Sequence, residues 1–247
     1  SRTLDSMRLR GPDNQNFINF RNRSTNLYLL HSRLSIIDID KRSNQPFSKY
    51  NLTIIFNGEI YNYVELRERI KNKISSFTSS DTEIILDYYK LYGVNCLKYF
   101  EGMWSFAIYD KTENLLFISR DRFGEKPLYI SHDSLNFYFG SEIKFIKSLK
   151  DKNFKINHDL VKSFLMNGYK TIFKKKETFF SDITRVENAT AIILKEGKIK
   201  RIYKYWHPKY KENLKLKPND AVELCREKII NSVKLRLRSD APIAFCL

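Results

Sequence analysis

The chain has 247 residues, 42% of them hydrophobic and 14% aromatic, with a formal net charge of +16. That is enough apolar side chain for a substantial core in one large domain or two small ones, and no stretch approaches the roughly 18 apolar residues of a membrane span. Ser1-Arg-Thr-Leu-Asp5 lacks the apolar core of a signal peptide, so a cytoplasmic protein is expected. The three cysteines, Cys96, Cys225 and Cys246, form no C-x-x-C pair, and their odd number argues against a disulfide framework. The four histidines are scattered, and no metal site is expected. The basic excess is heavier after residue 150, but it is lysine dispersed among Ile, Asn and Tyr, with one run at Lys174-Lys175-Lys176. A solvated surface accounts for it better than a nucleic-acid site.

In chain order, short strands are predicted at Leu27–Leu30, Leu52–Phe56, Met103–Tyr109, Leu115–Ser119, Leu128–Ile130 and Phe137–Phe139. Residues 110–114 join the third and fourth of these as an antiparallel hairpin. One helix is expected from about Tyr63, with Asn62 as its cap and Glu65 closing a capping box. Another starts after Ser80, with Glu83 in the capping-box position, and runs to a stop at Gly93. Beyond about Lys147 the spacing predicts a short helix at Asn157–Leu165 and a hairpin over Ala191–Tyr205 turning at Glu196-Gly197. A longer helix opens at Pro218-Asn219-Asp220, with Val222, Cys225, Ile229 and Val233 on one face. Ala241–Leu247 then reads as the start of a buried strand, so the chain is expected to be a piece of a longer one. Many strands with few helices point to α+β with antiparallel sheet.

The stretch Thr53–Arg67, TIIFNGEIYNYVELR, carries the polar groups of interest. Asn57-Gly58 after an apolar run is a hairpin signal, yet no second strand follows cleanly, so the triplet Asn57-Gly58-Glu59 is expected at a strand end, open to a ligand. With Arg33 and Asp81 it would supply one cation, two carboxylates, a side-chain amide and a glycine N–H. An α-amino acid needs an Arg for its carboxylate and carboxylates for its ammonium, and an amide carbonyl under attack needs two donors at its oxygen. Each residue alone has an ordinary alternative: Arg33 as a surface cation, Asp81 as a first-turn acid on a helix dipole, Asn57-Gly58 as a turn and Glu59 as a solvated acid.

The order and wording of the motifs go further. Arg10-Gly-Pro-Asp13, Arg33-Leu-Ser-Ile-Ile-Asp38 with Asn44-Gln-Pro46, Asn57-Gly-Glu-Ile-Tyr-Asn62 and Ser80-Asp-Thr-Glu83 are followed by Gly102-Met-Trp-Ser-Phe-Ala107 and Arg120–Tyr129. Gly140–Lys144, Tyr205-Trp206 and Arg236–Pro242 complete the set. Together they resemble glutamine-hydrolysing asparagine synthetase over nearly the whole chain. The resemblance implies an N-terminal-nucleophile αββα sandwich of two antiparallel sheets, followed by the start of an α/β ATP-pyrophosphatase domain. Its boundaries would be 1–150 for the glutaminase domain, 151–215 for its end and a connecting segment, and 216–247 for the opening of the synthetase domain. It implies Arg33 on the glutamine α-carboxylate with Leu34, Ser35, Ile36 and Ile37 lining that pocket, Glu59 and Asp81 on the α-ammonium, and Asn57 with Gly58 as the oxyanion hole. Leu247 would border the nucleotide.

The activity implied is hydrolysis of glutamine, with the ammonia amidating an aspartate activated by ATP and Mg2+. Glutamine, aspartate and ATP are the partners, and a homodimer is left open. Departures are expected to matter. The family's nucleophile is a cysteine in a Cys-Gly-Ile start, and none of the three cysteines here matches it, so the chain as given is expected to be catalytically incompetent. Ser1 falls at the wrong place to substitute, and Leu9 stands where a histidine is usual. The alternatives are an amidotransferase of the same build with another carboxylate acceptor, or a non-catalytic glutaminase-like binding module.

Overall fold

The computed structural model describes residues 2–22, 25–150, 153–169, 176–210, 212 and 216–244. Helix α1 (Arg2–Met7) leads into a hairpin of β1 (Asn14–Arg21) and β2 (Asn26–Arg33), then β3 (Phe47–Lys49) and β4 (Leu52–Ile60). Helices α2 (Tyr63–Ile70) and α3 (Asp81–Tyr92) follow, then β5 (Gly102–Asp110), β6 (Leu115–Arg120), β7 (Tyr129–His132) and β8 (Phe137–Gly140). The remainder is α4 (Ile143–Lys150), α5 (His158–Asn167), β9 (Thr184–Arg185), β10 (Thr190–Lys195), β11 (Lys198–Lys204) and α6 (Pro218–Arg236).

A six-stranded sheet in the order β11-β10-β6-β5-β4-β3 forms the centre, antiparallel throughout. Period-two alternation gives each strand two faces. On one face Ile54, Phe56, Trp104, Phe106 and Phe117 pack with Leu66, Ile84, Ile85 and Tyr88 of α2 and α3. On the other, Ile55, Ala107, Tyr109, Leu116, Ile118, Ile192 and Leu194 meet Leu27 and Leu29 of β2 and Ile130, Phe137 and Phe139 of β7 and β8. The second layer is the pair β1-β2 together with the sheet β8-β7-β9, and α1 and α4 contact it at β2 and β8. Two antiparallel layers between helices make the αββα sandwich that the resemblance implies.

Several local expectations need correction. The strand expected to stop at Phe56 runs through Asn57, Gly58 and Glu59 to Ile60, because residues 57–60 pair in register with Ser105, Trp104, Met103 and Gly102. Asn62 sits at the cap of α2 but makes no capping bond. Its amide donates to the Tyr99 carbonyl and its oxygen accepts from the Glu101 N–H, which closes the strand corner instead. Glu65 closes no capping box and pairs with Arg238. Ser80 does cap α3, accepting from the Thr82 N–H, but Glu83 turns away to Lys49 and to the Phe77 and Thr78 amides. The sequence reading missed β1, β3, α4 and β9. The face of α6 carrying Val222, Ile229 and Val233 is exposed, and α6 has no buried side chain.

Residues 241–244 form no strand, while Cys246 and Leu247 lie outside the described residues, as do Ser1, Lys174 and Lys175. Among the described residues no helix is long and apolar enough to cross a membrane.

Candidate functional site

On β2, Leu27, Leu29, His31 and Arg33 alternate on the face toward the central sheet; on β4, Ile55, Asn57 and Glu59 alternate on the face toward β2. Both rows change from apolar to polar at the same end, where the His31 Nε2 lies 3.1 Å from the Phe56 carbonyl. A cavity of about 1300 Å³ runs between the two layers, and its polar end is a cleft lined by Arg33, Leu34, Ile36, Ile37, Asn57, Gly58, Glu59 and Asp81. Of the site residues expected from the sequence, these eight come together. Ser35 does not line the cleft, and its N–H donates to the Asp13 carboxylate at 2.7 Å. Leu247 lies outside the described residues.

Arg33 is 5% exposed, so the surface-cation alternative is excluded. Its guanidinium donates to the carbonyls of Asp40 (2.9 Å), Ile37 (3.3 Å) and Asp38 and to Asn44 Oδ1 (2.8 Å). All four acceptors are neutral, so these bonds orient the positive charge without pairing it. Burial draws its pKa down, against the pull of Asp38, Asp13, Asp81 and Asp40.

Asp81 is 4% exposed at the start of α3, and its Oδ2 accepts from the Ile60 N–H at 2.9 Å. Burial, with the charge of Glu59 beside it, raises its pKa to about 7, although the Ile60 and Thr82 amides oppose the shift. Glu59 is raised by burial as well, with Lys126 on the cleft wall pulling it down. Two carboxyl groups thus face one cleft with a shared reluctance to ionise, a condition that a bound ammonium would relieve. Asn57 donates its side-chain amide to Ser141 Oγ at 3.1 Å.

Gly58 is required by close packing. A Cβ there would stand 2.1 Å from the Met103 carbonyl oxygen and 2.8 Å from the Trp104 Cα, at φ +156°. Gly102, diagonally opposite, has the reciprocal contact with the Glu59 carbonyl. Gly58→Ala is expected to cost at least about 3 kcal/mol in chemical denaturation, because neighbouring backbone must move. A loss below about 1 kcal/mol would show that the strand pair has room.

Sequence reasoning assigned no role to Ser141, Gln45, His31 or Lys126. Gln45 accepts from the Phe56 N–H at 2.6 Å and lines the cleft; its signal was its place in Asn44-Gln-Pro46. Ser141 stood in the Gly140–Lys144 motif. His31 is held near pKa 4 by burial, so it is neutral at ordinary pH. The described cysteines lie elsewhere, Cys96 buried in the α-side core and Cys225 exposed on α6. Among the described residues no three His, Cys, Asp or Glu converge as ligands for a metal ion.

Residues 1–206 match the family described as glutamine amidotransferase domain. The chain belongs to that family. This amidotransferase domain is 33% identical to the putative asparagine synthetase [glutamine-hydrolyzing] 2 of Methanocaldococcus jannaschii, over 95% of this chain and 48% of that protein. It is 30% identical to asparagine synthetase [glutamine-hydrolyzing] 1 of Bacillus subtilis (strain 168), over 95% of this chain and 36% of that one. The chain thus spans about half the length, or less, of these relatives. Among solved structures, the glutamine phosphoribosylpyrophosphate amidotransferase from B. subtilis superposes with a TM-score of 0.58 at 18% identity, over 83% of this chain and 46% of that one. That likeness supports the sandwich fold of the amidotransferase domain.

Proposed function

We propose that this chain binds L-glutamine in the cleft and presents its side-chain amide for hydrolysis, as the glutaminase part of a glutamine-dependent asparagine synthetase. The observation that carries the reading is the pairing of opposite needs in one pocket: a buried guanidinium whose bonds go to neutral acceptors, and two carboxyl groups pushed toward neutrality. An α-amino acid zwitterion supplies the missing counter-charge to each. Arg33 takes the α-carboxylate, beside Leu34, Ile36 and Ile37, with Ser35 supporting the loop. Asp81 and Glu59 take the α-ammonium. The Asn57 amide and the Gly58 N–H receive the negative charge that develops on the carboxamide oxygen.

The thiol nucleophile called for by this chemistry is not among Cys96, Cys225 and Cys246 on this reading. In the whole protein the ammonia amidates an aspartate activated with ATP and Mg2+ in a synthetase portion opening near residue 216, after a glutaminase domain over 1–150 and its end and connector over 151–215. The enzyme works in the cytoplasm, without membrane or nucleic-acid partners. The relatives' names favour aspartate as acceptor over another carboxylate.

Isothermal titration calorimetry of the 247-residue chain with L-glutamine, paired with an assay for glutamate release, tests this. Saturable binding with no turnover is expected. D-Glutamine should bind at least about tenfold more weakly, since inverting Cα separates one charge from its partner. Absence of L-glutamine binding would sink the reading.

A further inference from the structure

We propose that Arg238 and Asp240 are positioning residues for the glutamine pocket, tying the loop on its carboxylate side and the strand corner on its ammonium side to one short segment. The inference rests on the glutamine reading above. The Asp38 N–H donates to Asp240 Oδ2 at 2.7 Å, and the Asp240 N–H donates to the Ile36 carbonyl at 2.9 Å. Both bonds fall within Leu34–Asp38, the loop whose Ile37 and Asp38 carbonyls receive Arg33. Two residues earlier, Arg238 donates to the Tyr61 carbonyl at 2.6 Å and forks onto Glu65, at 2.6 Å to Oε2 and 2.5 Å to Oε1. The Arg236 guanidinium lies 4.7 Å from the centre of the Tyr61 ring.

Tyr61 follows Ile60, whose N–H holds the Asp81 carboxylate. The segment 236–240 therefore reaches within a few covalent bonds of both ends of the pocket. Helix α6 buries none of its own side chains, so these contacts, and not packing of the helix, fix where the segment sits.

A group that binds two walls of a pocket and belongs to a third element couples them thermodynamically. Whatever shifts residues 236–240 changes glutamine affinity, and glutamine changes the seating of that segment by the same factor. Asp240 is exposed, so the effect is a modest factor and not an all-or-none switch.

The test uses the full chain with Asp240→Ala, Asp240→Asn, Arg238→Gln and, as a remote control on α6, Glu223→Ala. Amide hydrogen exchange and glutamine titration are read together. Asp240→Ala is expected to speed exchange of the Asp38 N–H about tenfold and to weaken glutamine binding about three- to tenfold. Its unfolding midpoint should stay within about 2 °C. Asp240→Asn keeps an acceptor oxygen and should restore most of both effects, and Glu223→Ala should change neither. Arg238→Gln gives an independent second case, with faster exchange at Tyr61–Tyr63 and weaker binding. Unchanged Asp38 exchange, or unchanged affinity, in folded Asp240→Ala would overturn the proposal. If the unmutated chain binds no glutamine, the functional reading falls, while the exchange measurement still decides whether the tie exists.

Discussion

Asp81→Asn is expected to stabilise the free chain at pH 8 by about 4 kcal/mol while weakening L-glutamine binding by at least about 30-fold, or about 2 kcal/mol. The sign follows from the direction of the shift. The carboxyl titrates near 3.8 in an unfolded chain and near 7 in this buried position. A group whose folded pKa is raised stabilises the fold fully below the unfolded value, and that contribution is lost as pH rises from about 4 through about 7. At about 1.4 kcal/mol per pH unit, the loss is about 4 kcal/mol.

Asparagine in its place keeps an oxygen for the Ile60 N–H and carries no charge to desolvate. The variant and the parent should therefore be equally stable at pH 4 and diverge above it. Denaturant unfolding at the two pH values measures this; equal stability at pH 8 would mean that Asp81 ionises there without penalty. Glutamine reverses the argument, because its ammonium restores the charged form. Binding to the parent should release a proton near neutral pH and tighten as pH rises from 6 to 8, which calorimetry in buffers of different ionisation enthalpy detects.

Lys49→Met is expected to lower stability by about 3–5 kcal/mol, the cost of leaving buried carboxylates without their cation. Lys49 Nζ lies 2.7 Å from both Glu83 Oε1 and Asp87 Oδ1 and donates to the Ser75 carbonyl, with all three side chains buried. Burial works against the ammonium, yet Asp87 and Glu83 hold it above its usual range. The two acids differ. Burial would raise Glu83, but Lys49 and the amides of Phe77 and Thr78 bring it below its ordinary value. Burial prevails at Asp87, whose Oδ2 is buried without a hydrogen-bond partner while Oδ1 takes Lys49 and the Tyr50 hydroxyl.

Neutralising the less satisfied acid should therefore help. Lys49→Met/Asp87→Asn is expected to recover at least about 1 kcal/mol of the loss. The network also anchors residues 75–80, which lead into Asp81, so Lys49→Met should weaken glutamine binding beyond its effect on stability. A loss below about 1 kcal/mol would show that water reaches the carboxylates and that the cluster is not the rigid support described.

The amino-acid order by itself determined the class of the fold and most of its elements. Alternation in Met103–Tyr109 and Leu115–Ser119, the turn residues between them and the Ser80 cap are local signals that no long-range partner overrides, and these survive into the fold. The motif wording around Arg33, Asn57 and Asp81 also singled out eight residues that the fold brings to one cleft.

What only the tertiary structure decided were the partners chosen across distance. Asn57-Gly58 looks like a turn in isolation, and becomes mid-strand because β5 supplies a ladder and its backbone approaches too closely for a side chain at Gly58. Asn62, Glu65 and Glu83 satisfy local capping rules on paper, yet the Glu101 N–H takes Asn62 at the strand corner, and Arg238 and Lys49 give Glu65 and Glu83 charged partners. The pKa of Asp81 has the same origin: its charge is penalised by surroundings assembled from β4, α3 and Glu59, none of which a linear spacing can weigh.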